Sequence, residues 1–504
     1  MRRVIVGILA LTTGAAVVAI PSVLDPTFDD EMPSEGSSEG TPETLLSVAD
    51  GVSTETHEPF LIIDLAGDTD HLECSLNGGD YVACEAPVFA PMLGSDGLYQ
   101  NPVVGLNTMV IRSTDSGQEV AHTWEQLSIV AEGSTLFDSG ELTGGQVMPP
   151  AVSTGGWKGI TRINCLFDGA RYDDPIVLPG QEGEAHLHYF YGASGIDSAT
   201  TFESLYSSAE SGCSGGTLNR SGYWIPALLA PSYDYSTGER LLDAPGDPAW
   251  EPVLAKVGEG ARDNRAAHEV FYYSAGVTDV QSIQVPPTGL KIVAGDRSAT
   301  PDDAAQDSSI VRWHCLSWGS TDQAGGPWSD TIPDCRAPDM LRMDIFFPSC
   351  WNGKDLDSDD HQSHMAYPSG PVGNVTCPAT HPVPIVRVSN HFAFPLFPDQ
   401  LDPVTKASEG FRLASDDYTV TGNGGLSLHA DWWNGWHPEA MQLILDGCIK
   451  AERDCHDGNL ATLSTGSSGA EWQGSLALGP LAPAEEVIDI PPIVNGGAGP
   501  HDAH

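Results

Sequence analysis

Positive charge is scarce in this chain of 504 residues. There are 22 Lys plus Arg against 69 Asp plus Glu, for a formal net charge of -47, and only six of the cations are lysines. Nothing here can neutralise a phosphate backbone, so nucleic acid is excluded as a partner. The same deficit argues against docking on an anionic membrane surface. Beyond residue 20 no run is apolar enough to cross a bilayer, and no hydrophobic C-terminal tail follows. Cys-x-x-Cys does not occur, which argues against a zinc ribbon or a thioredoxin-type site. Phosphate-loop and dinucleotide fingerprints are absent as well, so no organic cofactor is expected. Gly-x-Ser-x-Gly strings do occur at 36–40 and 212–216. Neither has a strand before it and a helix after, which argues against a Ser-His-Asp hydrolase. No internal repeat is found.

What is present bounds the architecture. The length suggests two to four domains, and a hydrophobic fraction of 40% suffices for a core. Gly (55) and Pro (38) suit a chain rich in loops and short strands. Residues 1–20 place Arg2 and Arg3 before an apolar run from Val4 to Ile20, the ordering of a secretory signal, with cleavage expected after Ala19. Removing the two arginines takes the charge from -47 to -49. Membrane contact is then transient, through this segment alone, and the protein is expected to be secreted. Export permits disulfides, and the ten cysteines suggest local pairs: Cys74–Cys84, Cys165–Cys213, Cys315–Cys335, Cys350–Cys377 and Cys448–Cys455. Strong acidity with few lysines fits a saline medium, where salt screens self-repulsion, and equally fits simple solubility.

The expected fold class is mainly β: an N-terminal Ig-like β-sandwich, then a larger, irregular, disulfide-stapled β-rich domain with a few short helices. Residues 21–50 read as a disordered acidic linker. Residues 51–130 form the first folded unit, with a strand at Phe60-Leu-Ile-Ile-Asp64 and a Gly-Gly hairpin between Cys74 and Cys84. Its Cys-Ser-Leu-Asn-Gly run at 74–78 and the later Gly105-Leu-Asn-Thr-Met-Val-Ile-Arg112 resemble small bacterial Ig-like domains, with Asn77 in place of the usual Asp. Residues 131–156 read as a linker, 157–457 as the main domain and 458–504 as a mobile tail. Apolar Phe202, Leu205, Tyr206 and Ala209 recur at helical spacing, and a second helix is expected from Pro438 to about Ala451.

Three segments concentrate chemistry. In the first, Asp173 and Asp174 precede His186-Leu-His188 and Tyr189. On a strand the two imidazoles share a face, which makes a metal half-site; the same pattern also satisfies core hydrogen bonds. The second runs from Phe346 to Pro368 and holds Trp351, Asp355, Asp357, Asp359, Asp360, His361 and His364. Its aspartates imitate the start of a calcium loop, but Asp360 stands where glycine is required and Ala366 where glutamate is, so an EF-hand is rejected. A different calcium loop and a solvated acidic loop both stay open. In the third, His429 and Asp431 have the same spacing of two, followed by Trp432, Trp433 and Trp436 as sugar platforms or core residues.

These ordered motifs, with Tyr223-Trp-Ile-Pro226, Phe347-Pro-Ser-Cys-Trp351, Ser358-Asp-Asp-His-Gln-Ser-His364, Cys377-Pro378, His381-Pro382 and Asn434-Gly-Trp436, resemble an uncharacterised secreted family of fungi and bacteria, Domain of Unknown Function nineteen ninety-six. The resemblance spans about Trp157 to Cys448. It implies an extracellular setting and frequent company with carbohydrate-binding modules, and it supplies no mechanism.

Three functions fit these residues. The first is a hydrolase of extracellular polysaccharide or cell-wall glycan, using Asp173, Asp174, His364 and Asp431 as acid/base groups, with Tyr189, Trp224, Trp351, Trp432 and Trp436 holding sugar. The second is an enzyme with a divalent metal ion on His186, His188 and His429. The third is a non-catalytic glycan-binding or adhesion protein.

Overall fold

The computed structural model describes residues 45–127, 158–253, 268–316, 328–455 and 491–499, apart from short breaks at 57–60, 68, 94–98, 101, 166, 208–209, 214–217, 245–246 and 494. The expected leader at 1–20, most of the linker at 21–50, the linker at 131–156 and most of the expected tail lie outside the described residues. The chain is mainly β with a few short helices. All ten cysteines are paired, in the five local combinations expected from their spacing. Among the described residues no helix is long and apolar enough to cross a membrane.

The N-terminal unit is built on a five-stranded sheet in the order Glu55–Thr56, Glu119–Gln126, Gly105–Ser113, Leu72–Leu76, Val82–Cys84. Strand Gly105–Ser113 alternates buried and part-exposed residues along its length. That period of two puts Met109 and Ile111 with Cys74, Leu76 and Trp124 in a core of their own. Leu46 belongs to this core, and Ser47–Val48 pairs with Leu65–Ala66. The folded unit therefore begins a few residues before the boundary expected at 51.

Two sheets carry the main domain. One has six strands, ordered Val311–Leu316, Met340–Phe346, Arg387–Pro395, His268–Ser274, Ile160–Asn164, Asp454–Cys455. The other has five, ordered Phe167–Arg171, His188–Gly192, Gly222–Pro226, His429–Trp433, Lys291–Gly295. Its three middle strands are buried at every position, because both faces are covered. Tyr189, Tyr191, Tyr223, Ile225, Ala430 and Trp432 point into the large core shared with the six-stranded sheet. Their neighbours Phe190, Trp224, Val293 and Trp433 point the other way, into a smaller cluster with Ile176, Ile196, Leu205 and Tyr206.

The first helix, Phe202–Ser207, closes that smaller cluster. At six residues it is too short to persist alone. It is held by the burial of Leu205 and Tyr206, by a hydrogen bond from the Tyr206 hydroxyl to the Asn434 carbonyl, and by reciprocal capping between Thr201 and Ser204. The second runs Pro438–Ile444 and widens into a π-type turn at Leu445–Ile449, where Cys448 is tied to Cys455.

The expected mobile tail is corrected in part. The Tyr172 hydroxyl donates to the Pro492 carbonyl, Ile493 packs on the main core, and Gly496, Gly497 and Gly499 are buried. This stretch of glycine-rich chain is docked.

Candidate functional site

The five-stranded sheet brings the first and third segments together. His188 begins one strand and His429 another, with Gly222–Pro226 between them. His186, His188 and His429 each offer a ring nitrogen, and the three atoms lie within 4.8 Å of one another. Asp174, His188 and Asp431 form a second group within the same limit. His429 packs edge to face on the other two rings, with centroids 5.1 Å from His186 and 5.8 Å from His188, while His186 and His188 are tilted against each other at 4.2 Å. All five side chains are buried.

Backbone carbonyls set the imidazole orientation. His188 Nδ1 is 2.9 Å from the Asp173 carbonyl oxygen, and His429 Nδ1 is 2.8 Å from that of Ser427. A carbonyl only accepts, so each Nδ1 carries the proton and each Nε2 presents a lone pair to the cluster. This is the outer-shell arrangement that orients histidine ligands. Ser427 is itself fixed by Asp416, whose carboxylate accepts from the Ser427 hydroxyl at 2.7 Å and from the amides of Leu413 and Gly425. Opposite His429 stands Gly295, at φ +86°. A Cβ there would lie 2.4 Å from the Leu428 carbonyl oxygen and 2.9 Å from His429 Cα, so only glycine allows the strands to come this close.

The electrostatics leave the cluster short of positive charge. Burial lowers the His188 pKa well below the ordinary value, and neighbouring His186 and His429 lower it further. Burial raises Asp431 well above the carboxylate range, Asp174 adds to the rise, and Arg297 opposes it. Asp174 is raised by burial too, against two hydrogen bonds its Oδ1 accepts from the amides of Ile176 and Val177. Both Asp431 oxygens and His188 Nε2 are buried without a hydrogen-bond partner among the described residues. His429 Nε2 is 4.0 Å from Asp431 Oδ2. Three imidazoles and two carboxylates form a donor set that suits a divalent transition metal, which would supply the missing charge.

A cleft of about 380 Å³ opens over one side of the cluster. Asp174 and His186 form part of its wall, with Arg297, Thr300, Ser415 and Asp417 around them. His188, His429 and Asp431 lie behind, outside the lining.

Several expected site residues sit elsewhere. Asp173 belongs to neither group, and its carboxylate accepts from the Gly183 amide at 3.0 Å. His364 belongs to neither group; its Nε2 is 2.7 Å from the Lys291 carbonyl oxygen and its Nδ1 2.9 Å from the Ser358 hydroxyl, so both nitrogens hold the 352–364 loop in place. The five aromatic candidates are core residues with almost no exposed surface. Tyr189 donates to the Leu228 carbonyl, Trp224 stacks on Phe190, Trp351 donates to the Asp355 carbonyl, Trp436 donates to the Tyr273 hydroxyl, and Trp432 is 0% exposed on the core side of its strand. None has a free face for a sugar ring.

Three carboxylates of the acidic loop are spent internally, while Asp359 is exposed. Asp357 meets Lys291 and His361, Asp355 accepts from Asn352, and Asp360 accepts from Ser358, Gln362 and Ser363, whose hydrogen bonds hold it well below the carboxylate range. Arg297 and Asp416 were not singled out from the sequence. Neither lies in a motif; one follows a strand in a turn and the other anchors a loop.

The fold and the site together define a β-rich protein with a buried His/Asp group suited to a metal. The chain belongs to the family described as Domain of unknown function (DUF1996), whose model matches residues 174–436. That stretch spans Asp174, His186, His188, His429 and Asp431. Comparison with curated proteins finds no match.

Proposed function

We propose that this chain is a secreted, metal-dependent hydrolase acting on an extracellular polysaccharide or cell-wall glycan. Its ligands are His186, His188 and His429 as nitrogen donors and Asp174 and Asp431 as oxygen donors. The observation that carries the reading is the burial of Asp431, both oxygens unpartnered, beside oriented imidazoles. An isolated buried carboxylate costs several kcal/mol, and a cation removes that cost. A divalent ion held there supplies Lewis acidity and lowers the pKa of water bound to it. His188 and His429 anchor the ligand set from behind, while His186 and Asp174 connect it to the cleft. Arg297 offers hydrogen bonds to a polar substrate such as a sugar, while the Thr300 and Ser415 hydroxyls are engaged with Asp303 and Ser427. The cleft is at the small end of ligand pockets, roughly 300–1,000 Å³, which suits a chain end or a short stretch.

A metal-free glycosidase using Asp174 and Asp431 has less support. Its two carboxylates must flank a bond, and Asp431 is 0% exposed behind the cleft wall. Export is supported by the leader-like residues 1–20 and by the complete pairing of cysteines. The N-terminal unit, with its own core and Cys74–Cys84 hairpin, is read as an Ig-like spacer.

Elemental analysis of the secreted, tag-free protein by mass spectrometry tests the proposal. We expect about one transition metal per chain, lost in both His186→Ala and His429→Ala, and sugar release from a glycan panel that stops on chelation. A metal-free preparation with undiminished activity, or a folded protein that takes up no metal, overturns it.

A further inference from the structure

We infer that the C-terminal segment 495–499 is a positioning element of the candidate metal centre, docked against the turn that carries His186 and His188. The positioning role rests on the metal reading above; the docking rests on geometry alone.

Leu187 sits between the two candidate ligands. Its side chain is 0% exposed in the main core. Its carbonyl accepts from the Ala227 amide at 2.8 Å, and its own amide donates to the Gly497 carbonyl at 2.8 Å. The peptide groups on either side of Leu187 thus fix the directions of the imidazoles at 186 and 188, and one of the two anchors comes from the far end of the chain. The contact is backbone on backbone. A Cβ on Gly499 would lie 2.4 Å from the carbonyl carbon and oxygen of Ala185 and 2.5 Å from the Glu184 carbonyl oxygen. Gly497, at φ +86°, would place a Cβ 2.8 Å from that of Ala414.

The same segment touches both halves of the site. On one side is the 184–187 turn. On the other are Arg412 and Ala414, in the stretch that leads into Asp416, the residue that holds Ser427 and through it the orientation of His429. Docking of 495–499 therefore supports all three imidazoles from outside the ligand set, as outer-shell contacts do in metal sites. This stretch lies beyond the family match at 174–436.

Full-length Gly499→Val and Gly497→Val variants test this, with Ala498→Ser as control. Two quantities are read: hydrogen exchange at the Leu187 amide, and affinity for zinc by competition with a chromophoric chelator. We expect exchange to accelerate about tenfold or more, and zinc affinity to fall by about 10–100-fold, with near-ultraviolet circular dichroism unchanged. Should a valine variant not fold, Gly499→Ala takes its place, since its single methyl already meets the Ala185 carbonyl. Unchanged Leu187 exchange in a folded variant overturns the docking. Faster exchange with unaltered zinc affinity overturns the positioning role. If the wild-type chain itself takes up no zinc or other metal, the proposed function and the positioning role fall together, and the docking is judged on Leu187 exchange.

Discussion

His188 Nδ1 lies 2.9 Å from the carbonyl oxygen of Asp173, so the residue beside one candidate ligand orients another. Adjacent aspartates consequently have different tasks. Asp173 uses its carboxylate to hold the Gly183 amide and its carbonyl to hold an imidazole, while Asp174 faces the centre. Asp173→Ala is expected to lose about 1.5–3 kcal/mol of stability, the value of a hydrogen bond to a charged group, while still binding metal. Asp174→Ala should lose the metal, and its metal-free stability should fall too, because the amides of Ile176 and Val177 lose their acceptor. Denaturation and metal content on the two variants decide it; equal metal loss in both would show that the roles are not separate.

Asp431 presents the opposite balance. Its carboxylate is fully buried, and burial itself raises its pKa. In metal-free protein Asp431→Asn should be more stable than wild type by about 1–3 kcal/mol, because a neutral amide is cheaper to bury than a carboxylate without a partner. With metal present the order should reverse, since only the wild type gains the binding energy. Urea denaturation with and without a chelator checks this. A variant less stable than wild type under both conditions would mean the carboxylate has a structural partner.

Trp432 separates a core role from a sugar platform. It lies on the strand His429–Trp433 with its ring on the side opposite His429 and Asp431. Trp432→Ala should cost about 3–5 kcal/mol, the range for emptying a large core position, and the molecules that stay folded should act on glycan like wild type. Calorimetry together with activity per folded molecule tells the two apart. A specific loss of glycan affinity at unchanged stability would return Trp432 to the substrate.

How far the sequence reveals this site follows from which contacts are local. His429 and Asp431 share a face by the two-residue period of their strand, and that much is readable directly; His186 instead precedes the strand that His188 begins, although the two rings still meet. Short spacing likewise makes the five cysteine pairs legible. The two strands become near neighbours only through the strand Gly222–Pro226 between them, and sheet order is not written in any local pattern. The aromatics mislead for a related reason: a strand buried on both faces has no polar alternation, so nothing in the string Asp431-Trp432-Trp433 says which ring enters which core. Asn495-Gly-Gly-Ala-Gly499 reads as flexible because glycine also dominates linkers; here it is needed where backbone meets backbone.

Part of the acid sensitivity should come from the six-stranded sheet, remote in sequence from the candidate metal ligands, in addition to the loss of the same sign from buried His188. His314 is buried with its Nε2 unpartnered among the described residues and its ring edge-on to Trp328 at 4.5 Å. Burial pushes its pKa down to about 4; Asp344 opposes the fall, and Arg342 and Arg312 assist it. Between about pH 6.5, where an unfolded histidine titrates, and about pH 4 the unfolded chain binds a proton that the folded chain refuses. Stability therefore falls as pH falls through that window. Asp344 extends the loss to lower pH. Burial alone would raise its pKa, but His391 and Arg342 beside it hold it far below the carboxylate range. Its contribution is complete above about pH 4 and declines below. His314→Gln should flatten the upper part of the profile and leave the lower part intact, whereas Asp344→Asn should destabilise at pH 7 by about 3–5 kcal/mol, as for breaking a buried ion pair, with the deficit shrinking below pH 4. Urea midpoints at pH 7, 5 and 3 distinguish these shapes, and a His314→Gln profile that overlays wild type between pH 7 and 5 would remove His314 from the account.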